Sequence, residues 1–170
     1  MSSTLESHYG SEGIVDRIVD ALDQAGTDAS SLTPDSFAGA DEFHIGGRKG
    51  SELVADLLNI EEGSRIIDLG CGIGGPARFL ARTKGIHVTG IDLTPEFVEA
   101  ASALTKLVGM SDKVDFHEGS ATNIPFGDDS FDAATMIHVG MNIAEKAVMM
   151  SEMARVTRAG GTVLIYDVMR

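Results

Sequence analysis

Short apolar runs alternate with helix-like stretches from Gly63 onward, and this alternation restricts the possible folds more than any other feature of the chain. Each apolar run has the length of a strand, and the stretches between the runs have the spacing of helices. Strands that alternate with helices in this way are typical of βαβ units and a parallel sheet. We therefore predict an α/β fold with strands at 65–69, 86–91, 114–117, 131–137 and 162–168.

The residues before this alternating region predict a helical extension. Apolar residues from Ile14 to Leu22 recur at helix spacing, and Gly26 is placed to end that helix. A glycine-containing loop follows at 40–50, and a second amphipathic helix begins at about Ser51. The predicted division is an extension at 1–62 and a sheet-forming core at 63–170.

A glycine-rich segment, Asp68 to Pro76, connects the first predicted strand to the first core helix. It has glycines at 70, 72 and 75, which is the spacing Gly-x-Gly-x-x-Gly. Glycines allow a tight turn and the close approach of a ligand, and the following helix offers free backbone N–H groups. Because the motif stands between a strand and a helix, it predicts a ligand site rather than a bare turn.

Two ligand classes fit such a loop, a dinucleotide and S-adenosylmethionine. Asp68 stands at the carboxyl end of the first strand, where a carboxylate would repel a pyrophosphate and attract the ammonium of a methionine moiety. Asp92 ends the second strand, where an acidic side chain can accept hydrogen bonds from both hydroxyls of a ribose. Asp92 supports either ligand, whereas Asp68 favours S-adenosylmethionine.

Composition excludes several other functions. The chain has 26 acidic and 13 basic residues and a formal net charge of −13, which argues against nucleic acid or an anionic membrane as a partner. Its one cysteine, Cys71, cannot form an internal disulfide, and no two histidines have the helical spacing of metal ligands, so we predict no metal. Without a signal-like N-terminus or an apolar run of about 20 residues, we expect a cytoplasmic protein.

Four stretches of the core together resemble the class I S-adenosylmethionine-dependent methyltransferases. The first, Asp68 to Gly74, resembles their motif I. The others resemble the end of strand two, the signature before strand four and the turn before strand five, and they lie at 90–94, 123–132 and 158–161. Two further stretches, 41–48 and 138–143, resemble small-molecule methyltransferases of the sarcosine/dimethylglycine N-methyltransferase and ubiquinone/menaquinone types.

The resemblance implies a Rossmann-like doubly wound parallel sheet with S-adenosylmethionine as cofactor. It implies that the extension is a lid, and that five strands are present while the last two of the family's usual seven are absent. It also implies a set of cofactor-binding residues: Asp68, Gly70, Cys71 and Gly72 at the methionine moiety, Asp92 at the ribose, Leu93, Ser120 and Ala121 at the adenine, His138 beside the sulfonium, and Phe43, His44 and Gly47 on the lid side. Family members often have aspartate where Ser120 stands, and a neutral hydroxyl is the weaker acceptor.

The implied reaction is an in-line displacement at the S-methyl carbon, toward a small-molecule acceptor with an N, S, O or C nucleophile. An amine such as a glycine derivative is favoured, and His138 or His44 is the predicted base. Cys71, beside a helix N-terminus, could have a lowered pKa, but a small residue packed near the ligand is the preferred interpretation.

Three functions remain open from the sequence. The first is a small-molecule methyltransferase. The second is a non-catalytic S-adenosylmethionine-binding or interaction module, or a fragment inactive without further residues. The third, an NAD-dependent oxidoreductase, is disfavoured by Asp68. The apolar fifth strand would form an open edge, so we expect either a longer chain, an oligomer or a partner that supplies a strand.

Overall fold

The computed structural model describes residues 13–28 and 31–168. Within them, five parallel strands form one sheet in the order β3-β2-β1-β4-β5. The strands are β1 Arg65–Leu69, β2 His87–Asp92, β3 Val114–Glu118, β4 Phe131–Ile137 and β5 Thr157–Tyr166. The predicted α/β fold, a Rossmann-like parallel sheet, is confirmed.

Six α-helices are present in the described ranges. Their bounds are α1 Ile14–Gln24, α2 Ala38–Asp41, α3 Arg48–Leu57, α4 Gly75–Lys84, α5 Pro95–Leu107 and α6 Lys146–Val156. Short 3₁₀ helices lie at Pro34–Phe37 and Gly140–Asn142. None of the described helices is both long enough and apolar enough to cross a membrane.

Alternate side chains of the central strands fill two separate cores, as the pleat of a sheet requires. Ile66 of β1 packs into the core formed with α3 and α4, and its neighbour Ile67 packs into the core formed with α6. Both residues are completely buried. The sheet is therefore covered on both faces, which leaves the carboxyl ends of its strands as the exposed edge where a ligand can bind.

The strand order reverses beside β1. The chain passes from β1 to β2 and β3 on one side of the sheet and then returns to β4 on the other side. Asp68 in β1 is consequently in register with Gly90 of β2 and with Thr135 of β4. Loops that leave β1 and β4 diverge at such a switch point and open a crevice, so the fold places the glycine-rich loop in a crevice.

Residues 13–28 and 31–62, called the lid below, are fixed to the core by a buried ion pair. The guanidinium of Arg78 on α4 donates to Asp41 Oδ2 at 2.7 Å, and both side chains are 1% exposed. The lid backbone approaches so closely that a Cβ on Gly75 would lie 2.3 Å from the carbonyl oxygen of Asp41. An exposed pair adds to this attachment, because Arg82 donates two hydrogen bonds to Asp35 at 2.7 and 2.8 Å.

Three elements begin three or more residues away from the sequence-based prediction. Helix α3 begins at Arg48 rather than Ser51, since the Ile45–Gly47 turn leads directly into it. Helix α6 begins at Lys146 rather than Ile143, because the 3₁₀ helix Gly140–Asn142 occupies the preceding chain. Strand β5 begins at Thr157, and a register shift opposite Phe131–Ala133 absorbs the glycines that had predicted a turn before the strand.

Candidate functional site

A cavity of about 900 Å³ lies between the lid and the carboxyl ends of the strands. The core contributes the glycine-rich loop, the end of β2 and the segment that follows β4, and the lid contributes residues of α1 and of the stretch before α3. Its wall is mostly apolar and carries a small number of polar groups. Such a composition and volume are those of a small-molecule site.

Backbone hydrogen bonds hold the glycine-rich loop against β2. The N–H groups of Gly70 and Cys71 both donate to the carbonyl oxygen of Ile91, at 2.8 and 3.0 Å. The N–H of Gly72 donates to Asp92 Oδ2 at 2.9 Å, while Asp92 Oδ1 accepts from the N–H of Thr94 at 3.0 Å. Asp92 is thus oriented by the loop, and each of its oxygens keeps a lone pair for a ligand hydroxyl.

Gly72 is the loop position at which the absence of a side chain keeps the cavity open. It lines the cavity, its φ is +54°, and a Cβ there would meet no protein atom within 4 Å. A Cβ would therefore occupy ligand space rather than collide with the protein. The left-handed backbone adds a preference for glycine at this position.

Replacing Gly72 by alanine should weaken ligand binding about tenfold and cost about 1 kcal/mol of folding free energy, because the methyl group enters the cavity and strains the backbone. Isothermal titration and chemical unfolding measure the two effects. Gly109→Ala is the matched control, since Gly109 has φ +66° and open space but does not line the cavity. Equal affinities of the two variants would contradict the assignment.

Asp68 lies behind the cavity wall. Asp68 is 2% exposed, and its Oδ1 accepts a hydrogen bond from the Thr135 hydroxyl at 2.9 Å. Burial raises the pKa of this carboxyl to about 6; the Thr135 hydroxyl opposes the increase, and the negative charge of Asp92 adds to it. The carboxylate therefore lacks a counter-charge among the described residues, and a cation bound in the cavity would stabilise its ionised form.

Cys71 also lines the cavity, where its environment favours the thiol. Burial raises its pKa, and the charges of Asp68 and Asp92 raise it further. The lowered pKa that the neighbouring helix N-terminus suggested is therefore wrong, because burial and two nearby carboxylates outweigh the helix dipole. The geometry favours a small packing residue over a nucleophile.

The rings of His44, His138 and Tyr166 meet where the ends of β4 and β5 approach the lid. The ring centroid of His138 lies 6.2 Å from that of His44 and 5.7 Å from that of Tyr166. His138 follows β4 with a φ of +58°, and its backbone N–H donates to the carbonyl oxygen of Tyr166 at 2.8 Å. The hydroxyl of Tyr166 in turn donates to the carbonyl oxygen of Ile45 in the lid at 3.0 Å. Tyr166 thus connects both predicted bases to β5.

His44 directs its nitrogens into the lid. The hydroxyl of Ser51 donates to Glu42 Oε2 at 2.9 Å, which leaves the Ser51 oxygen to accept from His44 Nε2 at 3.2 Å. Nδ1 lies 3.4 Å from the carbonyl oxygen of Ile45. His44 lines the cavity, but both nitrogens have protein neighbours in this arrangement, so His138 is the better placed of the two candidate bases.

The structure brings many of the sequence-predicted residues together, and their roles stay predictions. Those that line the cavity are Phe43, His44, Gly70, Cys71, Gly72, Asp92 and His138. Those that lie off its wall are Gly47, Asp68, Leu93, Ser120 and Ala121. Leu93 is 69% exposed beyond β2, whereas Ala121 is buried in the core that contains α6. Ser120 Oγ accepts from the N–H of Thr122 at 3.1 Å.

Sequence reasoning missed the wall that the lid provides. The cavity residues to which it gave no site role include Ile14, Arg17, Ile18, Ala21, Leu22, Ser36, Ala40 and Asp41. The apolar spacing of α1 predicted the helix but did not indicate what its face would cover. In the described ranges, no group of three or more histidine, cysteine or acidic side chains is arranged to hold a metal ion.

Comparison with protein families gives one match that covers more than half of the chain. A family model described as "Methyltransferase domain" matches residues 67–165. The methyltransferase GfsG of Streptomyces halstedii is 34% identical over 122 residues, which are 72% of this chain and 44% of that protein. The sterol 24-C-methyltransferase ERG6B of Gibberella zeae is 33% identical over 131 residues, which are 77% of this chain and 34% of that protein.

A similar fold occurs in a solved structure described as a sarcosine dimethylglycine methyltransferase, from Galdieria sulphuraria. The TM-score is 0.66 at 24% identity, and the match covers 89% of this chain and 58% of that protein. The alignment therefore extends over most of the chain. The chain itself spans less than half the length of the two curated relatives.

Proposed function

This chain belongs to the class I S-adenosylmethionine-dependent methyltransferases, and from that membership we propose that it transfers the methyl group of S-adenosylmethionine to a small-molecule acceptor. The observation that carries the proposal is the pair of carboxyl groups at the cavity, those of Asp92 and Asp68. Asp92 lines the cavity, and the uncompensated carboxyl of Asp68 lies directly behind it. These carboxylates would attract a cationic ligand and repel a pyrophosphate.

The residues present fit this cofactor. Gly72 leaves space above the loop, and Asp92 presents two oriented oxygens to a ribose. When bound, the sulfonium supplies the leaving group and most of the driving force for methyl transfer. The protein then has to position the acceptor in line with the methyl group and exclude water, tasks that the lid and the rings of His44, His138 and Tyr166 can perform.

The finer proposal concerns the acceptor. We favour an amine such as a glycine derivative, because segments 41–48 and 138–143 resemble the methyltransferases of such amines. Among the chain's relatives, the sterol 24-C-methyltransferase is named for a sterol, so the acceptor panel has to include apolar compounds. Glycine, sarcosine, dimethylglycine, small thiols, quinols and sterols make up that panel.

Titration with S-adenosylmethionine, S-adenosylhomocysteine and NAD tests the cofactor assignment. We expect both sulfur compounds to bind and NAD not to bind. Binding of NAD with exclusion of both sulfur compounds would overturn the proposal. Mass spectrometry of the acceptor panel after incubation with the methyl donor then tests for transfer, and a chain that binds the donor but methylates no acceptor would be a binding module instead.

His138 is the proposed base, since it lines the cavity beside the end of β4. Replacing it by asparagine, which tolerates the left-handed backbone, should lower kcat about a hundredfold and change the Kd of S-adenosylmethionine less than threefold. His117→Asn, at an exposed position of β3, is the control. An unchanged kcat in the His138 variant would remove the residue from the chemistry.

The open edge of β5 is the proposed place for a further strand or a second copy. Val163 and Ile165 of β5 are among the exposed large apolar residues, at 37% and 39% exposure. An edge of this kind pairs readily with another strand. Light scattering at rising concentration tests for self-association, and charged substitutions at Val163 and Ile165 should reduce it.

A further inference from the structure

The chain turns sharply where β4 ends, and this turn sets the direction of His138. The φ of His138 is +58°, and within residues 13–28 and 31–168 Asp129 is the only other non-glycine residue with a positive φ. Such a backbone conformation is disfavoured for a residue with a Cβ, and it persists only where neighbouring contacts impose it. The contacts that impose the turn therefore fix the place of His138 on the cavity wall.

Strand β5 supplies two of these contacts. The backbone N–H of His138 donates to the carbonyl oxygen of Tyr166 at 2.8 Å, which extends the pairing of β4 with β5. Three residues further on, the backbone N–H of Met141 donates to Asp167 Oδ2 at 2.8 Å. A carboxylate is a strong acceptor because its charge strengthens the hydrogen bond. The side chain of Asp167 therefore holds the 3₁₀ helix Gly140–Asn142 against the end of β5.

Gly140 leaves room for the Asp167 carboxylate. A Cβ at Gly140 would lie 2.8 Å from Asp167 Oδ2 and 3.1 Å from the sulfur of Met136. From α6, Lys146 Nζ donates to the carbonyl oxygens of Gly140 and Ile143. The 3₁₀ helix thus has an acidic group at its free N–H and a basic group at its carbonyl oxygens, an arrangement that complements the backbone dipoles. The segment 138–142 is held from two different elements of the core.

The same segment packs on the glycine-rich loop. Val139 lines the cavity, and a Cβ at Gly70 would lie 2.4 Å from Val139 Cγ2. Because the loop backbone and this side chain are in such close contact, a displacement of the segment would move both the cavity wall and the ring of His138. Asp167 itself does not line the cavity. Any influence of Asp167 on the reaction must therefore pass through the segment 138–142.

We propose that Asp167 is a positioning residue for methyl transfer, which fixes the segment 138–142 so that His138 keeps its place on the cavity wall. This inference rests on the proposed function, in which His138 is the base. The carboxylate of Asp167 acts only as an acceptor for the backbone N–H of Met141. Its loss should therefore lower the rate of the chemical step and leave the affinity for the methyl donor nearly unchanged.

Two substitutions at Asp167 separate its hydrogen bond from its charge. Asp167→Ala removes the acceptor, whereas Asp167→Asn keeps an oxygen that can accept from the backbone N–H of Met141. Turnover is measured with the member of the acceptor panel that the wild-type chain methylates fastest. We expect Asp167→Ala to lower kcat about tenfold and Asp167→Asn to lower it less than about threefold. The Kd of S-adenosylmethionine should change less than about threefold in both variants.

A double variant tests whether Asp167 acts through His138. His138→Asn alone is expected to lower kcat about a hundredfold, so independent effects would multiply to about a thousandfold when Asp167→Ala is added. If Asp167 positions the His138 ring, the double variant should keep the loss of about a hundredfold seen in His138→Asn. A general weakening of the structure would not produce this non-additivity.

Hydrogen exchange gives a readout that needs neither cofactor nor acceptor. In the ligand-free chain, Asp167→Ala should accelerate exchange of the backbone amides at 138–142 by about tenfold or more and leave the glycine-rich loop within about twofold.

Asp132→Ala is the matched control for both measurements. Asp132 Oδ2 also accepts from a backbone N–H, that of Arg65, at 2.7 Å. Asp132 lies near the start of β4, at the end of the sheet away from the cavity. Its replacement should change neither kcat nor the exchange at 138–142 by more than about twofold.

The outcomes separate this inference from the proposed function. Unchanged exchange at 138–142 in Asp167→Ala, an unchanged kcat, or a double variant that loses about a thousandfold in kcat would each overturn the inference alone. Thermal unfolding verifies the fold of each variant. Should Asp167→Ala not fold, Gly140→Ala carries the same test, because its Cβ would displace the Asp167 carboxylate.

Two further outcomes concern the proposed function itself. A wild-type chain that methylates no member of the panel would overturn the proposed function, and with it the role of Asp167 in methyl transfer. An unchanged kcat in His138→Asn would remove His138 from the chemistry, and this inference would fail with it.

Discussion

Replacing Arg78 by methionine should lower the free energy of unfolding by about 3–5 kcal/mol. The variant leaves the carboxylate of Asp41 buried without its cationic partner and leaves the Thr105 hydroxyl and two carbonyl oxygens without their donor. Burial already lowers the pKa of the Arg78 guanidinium, so the pair depends on the contact with Asp41. Denaturant unfolding, followed by circular dichroism, measures the change.

Arg82→Met is the matched control for this experiment. Arg82 lies one turn further along α4 and also pairs with a lid aspartate, but its side chain is 41% exposed and that of Asp35 is 55% exposed. An exposed ion pair contributes about 0–1 kcal/mol, so the control should lose no more than that. Similar losses in the two variants would show that burial of the Arg78–Asp41 pair does not determine its effect.

Asp68→Asn should move stability and binding in opposite directions. The amide keeps an oxygen for the Thr135 hydroxyl and removes a buried charge, so the ligand-free protein should gain up to about 3 kcal/mol at neutral pH. Affinity for S-adenosylmethionine should fall about thirtyfold, because roughly 2 kcal/mol of attraction between the carboxylate and the cationic ligand is lost. A gain in stability with a loss of affinity is expected where a binding site keeps a group that destabilises the fold but strengthens binding.

The pH dependence of this effect has a definite sign. The folded pKa of Asp68 is about 6 against an ordinary value of 3.8, so the ionised carboxylate opposes folding fully above about pH 6 and the opposition disappears below about pH 4. The stability gain of Asp68→Asn should therefore be present at pH 7.5 and absent at pH 3.5. Wild-type affinity for the cation should decrease as the pH falls from 7 to 5.

Asp115→Asn serves as the control for a lost carboxylate in the sheet. Asp115 stands on β3 with a side chain that is 58% exposed, so neither stability nor affinity should change by more than about 0.5 kcal/mol. A thermal shift series across pH, combined with titration calorimetry, gives both quantities. A lower stability of the Asp68→Asn variant than of the wild type at pH 7.5 would contradict the claim that the buried carboxylate opposes folding.

The sequence predicted the sheet well because strands buried on both faces produce continuous apolar runs. The bounds of β1 and β4 agree with the predicted 65–69 and 131–137. The start of β5 was wrong because a turn signature at 158–161 lies inside a strand with a shifted register. Local propensity indicated a turn there, and pairing with β4 outweighed it.

The site was predictable where chemistry is local and unpredictable where it depends on distant contacts. Asp92 and the glycine-rich loop are linked through a strand end and a spacing that can be read along the chain. The pairing of Asp41 with Arg78 joins residues 37 positions apart, and no periodicity marks it. Tyr166 likewise gave no signal, because its hydroxyl bonds to a backbone atom 121 positions away.

The buried ion pair between the lid and α4 has a consequence for turnover. If the chain turns over a cofactor as proposed, a product that left by displacing Asp41 would have to break that ion pair, whereas a product that left beneath α1 or past the exposed Phe43 would not. Release through movement of α1 alone should therefore need less free energy than release through movement of the whole lid. Substitutions in α1 should then change the rate of product dissociation more than substitutions around Asp41 do.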